Sequence, residues 1–84
     1  MSDHMKRRKK RPKPGQKVIL KALPPGFIDD LPDEDQWAIS AMVGKSTTLV
    51  KYERDGRAEL EFADPFVENA SHKIWVDAKF IDAL

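Results

Sequence analysis

The sequence predicts a mainly β domain: a five-stranded small barrel with one short helix inserted in the long loop after strand 1, preceded by a flexible basic tail over residues 1–15. Three observations carry that expectation. Runs rich in β-branched, aliphatic and aromatic residues (KVILKAL, TTLVKY, RAELEF, HKIWV) are separated by Gly, Pro and Asp, the pattern of short strands and turns. Only the segment around residues 33–43 spaces its apolar residues as a helix does. Charge also divides the chain. Residues 1–17 carry eight Lys or Arg against one Asp, a net +7, and residues 18–84 carry seven against thirteen Asp or Glu, a net −6. A tail and a body with separate jobs are expected from such asymmetry.

Eighty-four residues make one domain at most, and a chain of that size buries only about 60% of its unfolded surface. Cysteine is absent, which excludes disulfides and thiolate metal sites. His4 and His72 are far apart, and no cofactor or metal site is expected. No apolar run approaches the roughly 18 residues needed to span a membrane. The charged N-terminus is not followed at once by a hydrophobic segment, so a secretory signal is not expected. The expectation is a soluble, cytoplasmic protein.

In the tail, Lys6, Arg7, Arg8, Lys9, Lys10 and Arg11 run together, followed by Pro12, Lys13 and Pro14. Such a segment repels itself and has nothing to bury, so disorder is expected. Its functional reading is contact with phosphate: these seven cations would neutralise a nucleic-acid backbone and release counterions, giving salt-sensitive, sequence-blind affinity. No aromatic residue is interleaved, so base stacking is absent. The plainer reading is a solubilising tail, or one resting on its own acidic body.

Residues 17–23 read as the first strand, stopped by Pro24, Pro25 and Gly26. Asp33, Glu34 and Asp35 then favour a helix start, with Asp33 and Gln36 spaced as a capping box. Ile39, Met42 and Val43 fall on one helical face, and Gly44 suits a left-handed C-cap. The stretch Gly44-Lys45-Ser46-Thr47 looks like the tail of a phosphate-binding loop. That loop needs another Gly where Ile39 stands, and a helix after it rather than before. A nucleotide site is therefore not expected.

Asp55-Gly56 marks a hairpin. A three-residue loop, Arg54-Asp55-Gly56, pairs Glu53 with Arg57, Tyr52 with Ala58, Lys51 with Glu59 and Val50 with Leu60. Val50, Tyr52, Ala58, Leu60 and Phe62 then share the inner face, and Lys51–Glu59 and Glu53–Arg57 become opposite-charge pairs outside. Residues 63–71 form a polar connection around Asp64-Pro65. A short strand at residues 72–76 and a tight helical turn at residues 77–81 complete the chain.

The order of strand, long loop with helix, hairpin, strand and terminal turn resembles a Src-homology-3 (SH3)-like small barrel. KVILKALPP resembles its first strand entering the long loop, and IWVDAKFIDAL its last strand, helical turn and closing strand. Residues 16–84 are also similar to small uncharacterised bacterial proteins sharing the pattern of Leu23-Pro24-Pro25-Gly26, the Glu59-Leu60-Glu61-Phe62 run and His72-Lys73-Ile74-Trp75-Val76. The resemblance implies a fold and little about function. The aromatic groove that reads proline helices is not expected, because the chain has Ala22-Leu23-Pro24 where such members carry an aromatic motif, and no Trp opens the third strand.

Function is thus expected from a noncatalytic binding module whose partner is a protein, with Trp75, Trp37 and Tyr52 as anchors. The alternative is nucleic-acid association through Lys6, Arg7, Arg8, Lys9, Lys10, Arg11 and Lys13. If Ile74 and Val76 face inward, Trp75 faces outward, where Trp anchors partners; the plainer reading makes both Trp residues part of the core or its lid. The acidic cluster of Asp29, Asp30, Asp33, Glu34 and Asp35 lacks the spacing of a calcium loop and reads as a solvated helix start or a docking surface for the tail. Ser71 and His72, adjacent on a strand, diverge and do not form a catalytic pair.

Overall fold

A computed structural model describes residues 11–84. The elements are β1 (Lys17–Leu20), α1 (Asp33–Ala41), β2 (Ser46–Tyr52), β3 (Arg57–Ala63), β4 (Ser71–Asp77), a single 3-10 turn (Ala78–Phe80) and β5 (Ile81–Ala83). All five strands join one antiparallel sheet in the order β4-β3-β2-β1-β5. The mainly β class, the strand number and the helix after strand 1 follow the sequence pattern. The sheet is not closed: β4 and β5 are its two edges and do not pair with each other. With four residues in β1 and three in β5, little strand is left to build a seam. Leu23, Phe27, Ile28, Leu31 and Met42 pack against the core from the long connection and the end of α1.

That connection is shaped by its prolines. β1 stops at Leu20 rather than Leu23, although Lys21 N still donates to Phe80 O at 2.8 Å. Pro24 and Pro25 have no amide to continue a ladder, and the chain turns with Phe27 N donating to Pro24 O at 3.0 Å. The loop closes on the sheet where Gly44 N donates to Leu20 O at 2.7 Å and Leu20 N donates to Lys45 O at 3.1 Å. Gly44 has φ +86°, a left-handed conformation that glycine adopts without steric cost. Its amide is committed to Leu20, and a strand follows at Ser46, which gives the Gly-Lys-Ser-Thr stretch a sheet role.

Two details of α1 differ from the expected helix. Its first turn has no side-chain cap; Gln36 Nε2 instead donates to Leu31 O at 2.8 Å, drawing the helix onto the preceding turn. The buried helical residues are Ala38 and Ile39, whereas Val43 is exposed. The helix has ended by Met42, so Val43 lies in the turn leading to Gly44 and leaves the apolar stripe.

The β2–β3 hairpin has the expected three-residue loop. Glu53 N donates to Arg57 O at 2.7 Å, Gly56 sits at φ +92°, and Lys51 faces Glu59 and Tyr52 faces Ala58. One expected pair fails: the register shifts between Leu49 and Lys51, so Leu49, not Val50, stands opposite Leu60. Leu49 is fully buried and Val50 only half-buried. A bulge of this kind bends its strand and increases the local twist. It lets β2 serve β1 through Ser46, Thr47 and Thr48 and β3 through the residues beyond. The interior is then Val18, Leu20, Ile39, Leu49, Ala58, Leu60, Phe62, Ile74, Val76 and Ile81.

The outer charges are also redistributed. Arg57 Nε meets Asp55 Oδ2 at 2.8 Å instead of Glu53, and Lys51 lies 3.8 Å from Glu53. Glu59 pairs with Lys73 of β4 at 3.7 Å. Long, mobile side chains choose among several neighbours at small energetic difference, so correct backbone register does not fix their partners.

Candidate functional site: the free edge of β4

β4 exposes backbone as well as side chains. His72, Ile74 and Val76 alternate with Lys73 and Trp75, and the buried pair is Ile74 and Val76. In an antiparallel pair every second residue turns its N–H and C=O to the neighbouring strand, and the residues between turn theirs away. The bonds at the two ends of the β3–β4 pair, Asp64 N to Ala70 O and Ala78 N to Gly56 O, fall on even-numbered residues. They set the phase: His72, Ile74 and Val76 face β3, while Ser71, Lys73 and Trp75 turn their backbone groups to the open side.

A groove of about 360 Å³ runs beside this edge. Phe27, Leu31, Asp35 and Ile39 line one wall, and Arg57, His72, Lys73, Ile74 and Trp75 the other. Trp75 is 39% exposed and points outward, as alternation requires once Ile74 and Val76 turn in. Beside it, Glu59 is only 6% exposed although it lies on the outer face. Its cross-strand neighbours are Lys51 and Trp75, and the ammonium of Lys73 accompanies its buried carboxylate.

The other residues expected to be anchors are dispersed. Trp37, on α1, is 63% exposed and does not line this groove. Tyr52 is half-buried against the core and occupied from within the chain: the Arg11 guanidinium lies 3.6 Å from its ring centroid, and its hydroxyl donates to Pro12 O at 2.7 Å. Of the cationic run, Lys6, Arg7, Arg8, Lys9 and Lys10 lie outside the described residues. Arg11 and Lys13 lie in a segment that contacts the body: a turn with Gln16 N donating to Lys13 O at 3.0 Å leads to Gly15 N donating to Leu49 O at 2.7 Å. Among the described residues no cluster of His, Cys, Asp or Glu could hold a metal, and no helix is long and apolar enough to cross a membrane.

One polar constellation was not anticipated. Asp64 Oδ1 accepts from Phe66 N at 2.7 Å and Val67 N at 2.9 Å, and Asp64 Oδ2 lies 2.7 Å from His72 Nε2. His72 also stacks on Phe62, with ring centroids 5.4 Å apart. The Asp64-Pro65 step did signal a turn, since Asp side chains bond backbone amides ahead of them; the reach to His72 depends on the register of β3 with β4. The constellation ties the β3–β4 turn to the sheet and presents Phe66 and Val67 to solvent. The hydrogen bond with His72, then those from the Phe66 and Val67 amides, hold the Asp64 carboxyl below its ordinary range. A depressed folded value means that the unfolded chain binds the proton more readily. The stability due to this carboxylate is therefore fully present above about pH 4 and lost as pH falls through the folded value. Asp64→Asn is expected to flatten this part of the acid limb in urea unfolding followed from pH 6 to pH 2, and an unchanged limb would assign acid sensitivity elsewhere.

Compared with protein-family models, curated proteins and solved structures, the chain matches none.

Proposed function

We propose that this chain is a noncatalytic binding module built on an SH3-like small barrel, with the long connection and α1 standing in for the missing seam, and that it docks a protein partner on the face bearing Trp75. The single observation that supports this reading is Trp75 itself: a large aromatic side chain, 39% exposed, on an edge strand and beside an apolar groove. Trp side chains so placed anchor interfaces, because burial of the ring removes much apolar surface from water. Trp37 is then a separate exposed contact on α1, and Tyr52 keeps the Arg11-Pro12 segment on the body.

Crosslinking followed by affinity capture, with wild-type chain and Trp75→Ala in parallel, tests the reading. The variant is expected to lose the partner while keeping its unfolding midpoint. Equal capture by both would assign docking to another face.

A second reading is nucleic-acid association. It is favoured by the exposed Arg11 and Lys13, which line one groove with Lys17 and continue the cationic run onto the body. Under it, labelled RNA or DNA binds with a steep salt dependence. No binding at low salt would remove it.

A further inference from the structure

We infer that the free edge of β4 takes an extended segment of a partner protein in which basic residues alternate with apolar ones. The inference rests on the reading of the Trp75 face as a protein-docking surface and specifies what docks there.

The edge offers a ladder. The N–H and C=O groups of Lys73 and Trp75 point away from β3 and have no hydrogen-bond partner among the described residues. An unpaired row of this kind is a template for another strand, and adding a strand satisfies both backbones while pockets read alternate side chains. The groove supplies the pockets: Phe27, Leu31 and Ile39 face the edge across it, beside Ile74 and Trp75. Apolar side chains at every second position of an incoming strand would turn to the Ile74 face, toward Phe27, Leu31 and Ile39, and the positions between would turn to the outer face that bears Trp75.

Charge selects the composition. Both cations on the sheet wall already have partners, Lys73 with Glu59 and Arg57 with Asp55. On the opposite wall Asp35 lines the groove, following Asp33 and Glu34 in the first turn of α1, and no ion pair reaches these three carboxylates among the described residues. Among the described residues the groove's unneutralised charge is negative, so a basic strand is attracted and an acidic one repelled.

The test uses three labelled six-residue peptides: alternating Lys and Val, the same peptide with its central Val replaced by Pro, and alternating Glu and Val. Titration into the full chain is read by fluorescence anisotropy and by residue-resolved amide exchange. The Lys-Val peptide is expected to bind and to slow exchange at Lys73 and Trp75. The Pro peptide, lacking a ladder donor, and the Glu-Val peptide are expected to bind at least about tenfold more weakly. Neutralising Asp33, Glu34 and Asp35 together to Asn, Gln and Asn is expected to weaken the Lys-Val peptide by about tenfold, with circular dichroism and the unfolding midpoint of the variant measured beside it to show that α1 is kept.

Three results would overturn the inference: no binding of the Lys-Val peptide, binding without slowed exchange at Lys73 and Trp75, or equal binding of the Glu-Val peptide. Slow exchange at these amides in the free chain would also overturn it. Protection independent of concentration would assign the edge to the chain's own basic arm, and protection that grows with concentration would assign it to a second copy. If the peptides fail while Trp75→Ala still abolishes partner capture, strand addition is lost and the binding-module reading stands. If both fail, both are lost.

Discussion

Leu60→Ala is expected to lower the unfolding free energy by about 2–5 kcal/mol. Leu60 is fully buried on the central stretch of β3, opposite Leu49 on one side and Ile74 on the other. Its side chain belongs to the core cluster with both of these neighbours. Truncation removes apolar area and leaves a cavity that three paired backbones cannot collapse to fill. A domain of this length has total stability on the order of 4–13 kcal/mol, so the variant forfeits a large share of it. Urea unfolding followed by tryptophan fluorescence should show a lower midpoint with little change in slope. A loss below about 1 kcal/mol would place Leu60 outside the packed centre.

The second large effect is a backbone one. Gly56→Val is expected to cost about 1–3 kcal/mol. Gly56 closes the β2–β3 hairpin at φ +92°, and an added Cβ would meet no atom within 4 Å. Crowding therefore plays no part: the cost comes from forcing a β-branched residue into a left-handed conformation. That separation makes a control available. Gly56→Asn, whose side chain tolerates such backbone angles, should cost much less. Equal loss for Val and Asn in thermal unfolding would show that something other than φ limits the position.

The parts of the fold that were legible in the sequence are those where one local rule governs. Asp55-Gly56 announced its hairpin because few turns accept so tight a reversal, and alternation in Ala58, Leu60 and Phe62 identified the buried face of β3. The Val50 bulge was illegible, because Thr47, Leu49 and Val50 are all suited to a strand and only the need to serve two neighbours decides which turns inward. The exposure of Val43 depended on where α1 stops, which the Gly44–Leu20 hydrogen bond fixes from outside the helix. The carboxylate–imidazole contact between Asp64 and His72 required register across two strands.

The candidate site divides in the same way. Trp75 was legible, since inward Ile74 and Val76 force it outward. The open edge beside it was not, because the sequence resembled a closed barrel and only the strand order leaves β4 unpaired on one side among the described residues. Tyr52, read as an anchor for a partner, is held by Arg11 and Pro12, a contact between residues some forty positions apart.

Residue-resolved amide exchange of the free chain tests most directly the claim that β4 is an open edge. The amides of Ile74 and Val76, bonded to β3, should exchange more slowly than those of Lys73 and Trp75 by about tenfold or more. Equal protection at all four positions would mean that another strand already covers this edge, and the docking surface described for Trp75 would not exist.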